Sequence, residues 1–293
     1  MSQLDAPVEQ VGPPAREEGK FPRIGRRSDG RRNIVSIKDV AFGGNTIPII
    51  AGPCAVESQS LIDEAAREVA SRGAAVLRGG AFKPRTSPDS FQGLGMEGVE
   101  MMRDAARAHE MPFVTEVMSP KMVEEMGALV DAFQVGARNM QNFALLEALG
   151  RADKPVLLKR HFGSTPTEWL MAAEHIASGG NERIILCERG IRAFGDETRF
   201  TLDIAGALWA RKHSRLPVVV DPSHAIGVPE LLAPAAAAAI AAGLDGVMVE
   251  VHPRPSCARC DADQALTPQE FGALVGRVKP FAVERPLATN TER

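Results

Sequence analysis

The stretch Ala74-Ala-Val-Leu-Arg-Gly-Gly-Ala-Phe-Lys-Pro-Arg-Thr-Ser-Pro88 sets the pattern by which the whole chain is read. Ala75-Val-Leu-Arg78 reads as a short buried strand that ends on a cation. A Gly pair follows, then Lys83, Arg85, Thr86 and Ser87 in a segment that Pro84 and Pro88 stiffen and extend. Three cations and two hydroxyls at the carboxyl end of a buried strand repel one another unless something anionic sits among them. Arg and Lys beside Thr and Ser suit phosphate or carboxylate, because they supply many donors and full positive charge. A solvated basic loop is the plainer reading of this run, and the rest of the chain weighs against it.

Working outward, the same strand-then-helix unit recurs. Ile47–Gly52 reads as a strand, followed by a helix over Ser58–Ser71 with Leu61, Ile62, Ala65, Ala66 and Val69 on one face. Ala75–Gly79 leads to Gly98–His109, Pro112–Val117 to Pro120–Leu129, and Ala132–Gly136 to Phe143–Leu149. Pro155–Lys159 leads to Pro166–Ala177, Arg183–Cys187 to Leu202–Lys212, Pro217–Asp221 to Pro229–Ala242, and Gly246–Glu250 to Pro268–Val278. Strands with uninterrupted apolar runs are buried on both faces, as in a parallel sheet covered by helices. Eight units over about 240 residues predict a closed (β/α)8 TIM barrel. An open doubly wound sheet is the alternative, and no Gly-x-Gly-x-x-Gly turn follows the first strand to support it.

Ahead of the barrel, residues 1–33 are rich in Pro, Gly and charge and show no apolar period, which predicts a flexible arm. Docking on a neighbouring subunit or covering the site is the functional alternative. Residues 34–47 read as a small hairpin, 34–285 as the catalytic barrel, and 286–293 as a disordered tail. A hydrophobic content of 44% is ample for a core, and a net charge of −3 gives no support to a nucleic-acid or membrane partner. No apolar run approaches the roughly 20 residues that span a bilayer. The N-terminus lacks an apolar signal region, and four Cys make no disulfide scaffold, so a cytoplasmic protein with reduced thiols is expected.

In a barrel, chemistry sits at the carboxyl ends of the strands. Those positions hold Cys54, Arg78, Lys83, Arg85, Glu116, Arg138, Lys159, Arg160, Glu188, Arg189, Asp221, His224, Glu250 and His252. Some of these charges pair with each other, Glu116 and Asp221 being suited to hold neighbours in place, but the cations outnumber what pairing needs. Two sets emerge. Cys54, His224, Glu250 and, in the loop beyond, Asp261 suit one divalent ion such as Mn, Fe, Co or Zn. Taken singly, Cys54 reads as a packing residue and His224 as a core histidine; falling on one rim gives the four their meaning. Arg78, Lys83, Arg85, Arg138, Lys159, Arg160 and Arg189 supply charge for more than one phosphate group. Together the sets suggest a reaction that joins two phosphorylated substrates with help from a Lewis acid. No His stands at a diagnostic distance to make Cys54 a nucleophile, so it reads as a ligand. Cys257-Ala-Arg-Cys260 has no second CxxC and reads as two incidental thiols near the metal loop; a reversible disulfide there would disturb Asp261.

These segments resemble the 3-deoxy-D-arabino-heptulosonate 7-phosphate (DAHP) synthases of type I. The resemblance rests on Ala51-Gly-Pro-Cys-Ala-Val-Glu-Ser58, Phe82-Lys-Pro-Arg-Thr-Ser87, Phe91-Gln-Gly-Leu-Gly95, Gln134-Val-Gly-Ala-Arg-Asn139, Leu158-Lys-Arg160, Ile185-Leu-Cys-Glu-Arg-Gly190, Asp221-Pro-Ser-His224 and Val249-Glu-Val-His-Pro253. It implies condensation of phosphoenolpyruvate with erythrose 4-phosphate at the head of the shikimate pathway, by a homo-oligomer, dimer or tetramer. Carried over, Cys54, His224, Glu250 and Asp261 bind the metal. Arg78, Lys83, Arg138, Lys159, Arg189 and His224 surround phosphoenolpyruvate, and Arg85, Thr86 and Ser87 take the phosphate of erythrose 4-phosphate. Lys83, His224 and Cys54 stand at the catalytic centre.

The rival in the superfamily is 3-deoxy-D-manno-octulosonate 8-phosphate synthase, which uses arabinose 5-phosphate. Lys83-Pro-Arg-Thr-Ser87 and Cys54 both favour the heptulosonate reading, because the rival usually has an Ala-Asn-Arg arrangement and its metal-independent forms carry Asn in place of the Cys. A phosphosugar-binding barrel without activity ranks below both. His161 and Phe162 depart from the Gly and Met of many relatives, and the Cys257–Cys260 pair is not a family hallmark. Many relatives also carry a ferredoxin-like or chorismate-mutase-like regulatory domain. About 33 leading residues are too few for either, so insensitivity to aromatic amino acids and prephenate acting through such a domain is expected.

Overall fold

Strand period, more than any single residue, decides what faces the centre of this molecule. The computed structural model describes residues 19–83 and 89–283. Eight parallel strands, β3 (Ile49–Gly52), β4 (Val76–Arg78), β5 (Phe113–Glu116), β6 (Ala132–Val135), β7 (Val156–Lys159), β8 (Ile184–Glu188), β9 (Val218–Val220) and β10 (Gly246–Glu250), pair in chain order. β10 closes on β3 through Val247↔Ile49 to Glu250↔Gly52, so the barrel is complete. Closure leaves no strand edge open.

Alternate residues point to opposite faces of a strand. Ile50, Val76, Val114, Ala132, Leu157, Ile185, Val219 and Met248 fill the barrel interior, while Ile49, Leu77, Phe113, Phe133, Leu158, Leu186, Val220 and Val249 pack under the helices. Two residues on from each interior position stand Gly52, Arg78, Glu116, Gln134, Lys159, Cys187, Asp221 and Glu250. One parity therefore produces both the apolar plug and, directly above it, a largely polar layer. Gly52 is the exception that permits close approach: at φ 152 its added Cβ would meet the Arg78 carbonyl oxygen at 2.1 Å.

The outer helices begin where side-chain oxygens accept from the first free N–H groups. Ser58 caps α1 (Gln59–Ser71), Ser119 caps α3 (Pro120–Met126), Asn142 caps α4 (Phe143–Arg151) and Asp203 caps α6 (Ile204–His213). Thr165 and Glu168 make a full capping box on α5 (Pro166–Ser178). Gly95 starts α2 (Met96–Ala108), and α8 (Pro229–Ala241) and α9 (Pro268–Val283) complete the outer layer. A short helix, α7 (Pro222–Ile226), stands directly after β9 and has no counterpart in the sequence reading. Five residues are too few to show a helical period. None of the helices among the described residues is long and apolar enough to cross a membrane.

The floor is closed by the hairpin β1 (Val35–Ile37) and β2 (Val40–Phe42), which turns at Lys38-Asp39 and places Val35, Ile37 and Phe42 against the interior residues. Residues 19–33 differ from the flexible arm expected of them. Ile24 is fully buried, its N–H and that of Arg23 donate to Glu174 on α5, and Arg215 reaches the Arg23 carbonyl. Arg32 forms a two-pronged pair with Asp245 at 2.9 and 2.7 Å. This segment lies on the floor, opposite the polar rim, and its partners sit some 150 to 210 positions away, out of reach of local sequence pattern. Residues 1–18 and the expected tail 286–293 lie outside the described residues.

Candidate active site

Above the apolar plug the strand ends open into a cavity of about 370 Å³. Arg78, Lys83, Arg138, Lys159, Arg189 and Arg199 line it, with Glu116, Gln134, His224 and Asp261. Six cations against two carboxylates make the cavity locally positive in a chain whose net charge is −3.

On one wall Cys54, His224, Glu250 and Asp261 converge, with a ligand atom from each within 4.8 Å of the others. Cys54 Sγ lies 3.2 Å from Asp261 Oδ2, and His224 Nε2 lies 3.2 Å from Glu250 Oε1. Asp221 sets this geometry. Its Oδ1 accepts from the His224 backbone N–H at 3.0 Å and caps α7, while its Oδ2 lies within hydrogen-bond distance of His224 Nδ1 at 2.7 Å. The same Oδ2 holds Lys159 Nζ at 2.5 Å. Burial opposes ionisation of Asp221, but His224 and Lys159 outweigh it and hold its pKa well below the usual aspartate range. An ionised Asp221 only accepts, so His224 carries its proton on Nδ1 and turns the Nε2 lone pair toward the cluster. Burial also lowers the His224 pKa and favours the neutral, ligating ring.

Crowding acidic groups in the interior needs positive charge nearby. Arg78 donates to Glu250 Oε1 at 2.9 Å, and Lys83 Nζ lies 3.0 Å from Cys54 Sγ. Burial works against both cations, yet their acidic neighbours outweigh it and raise both pKa values. A thiol, an imidazole and two carboxylates, drawn together and oriented from behind, match the donor set of a divalent transition ion. Cys260, read from sequence as incidental, touches this cluster with its Sγ 3.3 Å from that of Cys54, while Cys257 is exposed. A hydrogen bond with Cys260, together with burial, pushes the Cys54 thiol pKa well up.

The rest of the rim holds charges of another kind. The Arg138 side chain makes no hydrogen bond or ion pair with the described residues, and Arg189 NH1 is buried without a partner among them. Arg189 lies against the Phe200 ring at 4.6 Å, which fixes its plane. Glu116 also faces the cavity without a hydrogen bond or ion pair among the described residues, so its expected role of holding a neighbour is not what the structure displays. Burial raises its pKa despite Lys83, Lys159, Arg78 and Arg138. Gly136 makes room for it, since a Cβ there would lie 2.0 Å from Glu116 Oε1. Arg160 and Glu188 do pair, at 3.0 Å, and Arg160 turns away to Asp203. Arg85, Thr86 and Ser87 lie outside the described residues.

The pattern of the DAHP synthetase I family matches residues 30–280. The chain belongs to this family. A curated phospho-2-dehydro-3-deoxyheptonate aldolase of Thermotoga maritima is 47% identical over 262 residues, 89% of this chain and 78% of that protein. The crystal structure of a DAHP synthase from Thermotoga maritima is similar at a TM-score of 0.85 and 47% identity, covering 88% of this chain and 76% of the other. A truncated form of the Thermotoga maritima enzyme is similar at 0.83 and 43% identity, covering 90% and 97%. A 2-dehydro-3-deoxyphosphooctonate aldolase of Syntrophotalea carbinolica is 31% identical over 279 residues, 89% of this chain and 99% of that protein. Sequence reading named Cys54, Arg78, Lys83, Arg138, Lys159, Arg189, His224, Glu250 and Asp261; in the fold Arg78, Lys83, Arg138, Lys159, Arg189, His224 and Asp261 line the cavity, and Cys54 and Glu250 join His224 and Asp261 in the cluster. It gave no role to Gln134, Arg199 and Gln264. Arg199 follows Arg189 by ten residues in a loop with no periodic pattern, and no local signal marks it.

Proposed function

We propose that this protein condenses phosphoenolpyruvate with erythrose 4-phosphate and water to give DAHP and inorganic phosphate, with one divalent ion held by Cys54, His224, Glu250 and Asp261. The observation that carries the reading is the pairing, across one cavity, of a four-donor cluster with two cations, Arg138 and Arg189, left uncommitted by the described residues. Mn, Fe, Co and Zn all suit the donor set.

An ion held by these four residues would supply Lewis acidity to polarise the aldehyde of the four-carbon substrate. Arg138 and Arg189 take the phosphate of phosphoenolpyruvate, while Arg78, Lys83 and Lys159 add charge around its carboxylate and enol oxygen. Their side chains are pre-aimed by Glu250, Cys54 and Asp221, so little ordering remains to be done on binding. As C3 of the enol bonds to the aldehyde carbon, Lys83 keeps its proton and stabilises negative charge growing on the carbonyl oxygen. Water then bonds to C2 as Glu116 takes one of its protons, and that proton is returned to the alkoxide formed from the aldehyde. The C2–O bond to phosphate breaks, phosphate leaves with the bonding electrons and takes the remaining hydroxyl proton, and the ketone remains. Arg85, Thr86 and Ser87 are proposed for the phosphate of erythrose 4-phosphate. A cytoplasmic homo-oligomer, dimer or tetramer, completes the proposal.

The test is consumption of phosphoenolpyruvate by chelator-stripped protein, with Mn²⁺ restored or withheld and with erythrose 4-phosphate or arabinose 5-phosphate offered. Metal-dependent consumption with the four-carbon sugar is expected. Preference for the five-carbon sugar would move the protein to the octulosonate enzymes, and turnover without metal would remove the cluster from the reaction.

A further inference from the structure

Glu250 is held from both sides of its carboxylate. Oε1 accepts from Arg78 at 2.9 Å and faces His224 Nε2, while Oε2 accepts from Gln264 Nε2 at 2.5 Å. Gln264 is buried at 4% exposure and sits in the tight turn Ala262–Gln264 that starts at Asp261. Asp261 enters that turn with φ 51, a left-handed conformation unusual for a residue with a side chain. The parallel bridge Val251↔Leu266 and the Leu266 N–H donation to the Glu250 carbonyl at 2.9 Å tie the turn back to the end of β10.

A glutamine amide has two faces of opposite sense. If its oxygen faced Glu250, acceptor would meet acceptor. The Gln264 oxygen instead accepts from Arg199 NH1. Arginine only donates, so Arg199 forces the amide to present its N–H group to Glu250. The same guanidinium lies 3.7 Å from Asp261 Oδ1. It therefore reaches both carboxylates of the cluster, Asp261 directly and Glu250 through Gln264.

We infer that Gln264 and Arg199 are a positioning pair for the two carboxylates that hold the ion, with Arg199 acting on Glu250 through the orientation of the Gln264 amide. The inference rests on the metal site proposed above. Neither side chain touches the ion; each fixes a rotamer that would otherwise swing away from neighbouring negative charge. Outer partners of this kind alter metal affinity by roughly 10- to 100-fold.

The test is Mn²⁺ and Co²⁺ affinity by chelator competition on full-length protein, alongside the melting temperature of the metal-free form. Gln264→Leu keeps the volume and removes both hydrogen bonds. It is expected to weaken both ions by about 10- to 100-fold while the metal-free melting temperature stays near that of the parent. Arg199→Met is expected to weaken them too, and the double variant to lose less than the sum of the two single losses, because the part of the Arg199 effect that reaches Glu250 runs through Gln264. Gln264→Glu, which sets a carboxylate against Glu250, is expected to bind worse than Gln264→Leu. Unchanged affinity in Gln264→Leu, or fully additive losses in the double variant, would overturn the pair. Absence of binding by the parent protein would instead overturn the metal site itself, and the pair with it.

Discussion

Glu116 is the carboxylate in the cavity that no hydrogen bond or ion pair among the described residues claims, and burial raises its pKa. A group so placed is suited to take a proton at neutral pH. Replacing it by Gln keeps the shape beside Gly136 and removes the base. Glu116→Gln is expected to lower kcat by about 10²- to 10⁴-fold with little change in KM for phosphoenolpyruvate. The pH–rate profile gives an independent reading. A base works when deprotonated, so the parent rate falls as pH drops through the Glu116 pKa, and the variant should lose that acid limb. A variant that keeps the limb would place the base elsewhere. Sequence reading offered Glu116 alongside Asp221 as a strand-end charge suited to hold neighbours in place; the distinction between them lies in what surrounds each. Asp221 has Lys159 and His224 within hydrogen-bond reach, and Glu116 has no such partner among the described residues. Gln264 and Arg199 escaped for the same reason, since the contact that gives each its meaning spans the chain.

At the scale of elements, what could be read from sequence was whatever is periodic. Apolar runs located all eight barrel strands, and Ser58, Pro120 and Pro166 marked helix starts within a residue or two. What lacks a period was missed: α7, and the docking of residues 19–33 on the floor. That docked segment turns on Asp245, fully buried before β10 and bonded by Arg32 and the Val218 N–H. Burial alone would raise the Asp245 pKa, but the hydrogen bonds and charge of Arg32 outweigh it and leave the pKa lowered. A depressed carboxylate contributes stability that is full above the unfolded pKa, about 3.9, and is lost as pH falls through the folded one. Asp245→Asn is expected to cost about 3 kcal/mol at pH 7, the lower end for breaking a buried pair, because Arg32 keeps some access to water. Urea denaturation of both proteins from pH 7 downward should show the gap closing below the ordinary aspartate pKa. A gap independent of pH would mean that the loss comes from packing.

The whole barrel separates its two tasks by height. Phe42, Val35 and Ile37 plug the floor under the interior layer of Ile50, Val114, Leu157 and Met248, and the cationic cavity opens at the other ends of the same strands. Interiors are packed closely enough that a missing ring is felt as lost stability. The reacting groups, however, are fixed by their own network, from Asp221 through His224 to Glu250, and not by the floor. Phe42→Ala is therefore expected to cost about 3–5 kcal/mol, lowering the melting temperature by roughly 2–4 °C per kcal/mol. Its kcat and KM, measured well below that temperature, should match the parent. Arg138→Ala is the converse: its side chain has no hydrogen-bond or ion-pair partner among the described residues, so the melting temperature should hold while KM for phosphoenolpyruvate rises by about tenfold or more, the loss of a charge-assisted contact of about 1.5–3 kcal/mol. The two variants together test the division. If Phe42→Ala changed KM, strain would be passing through the apolar plug to the rim, and floor and site would be one mechanical unit.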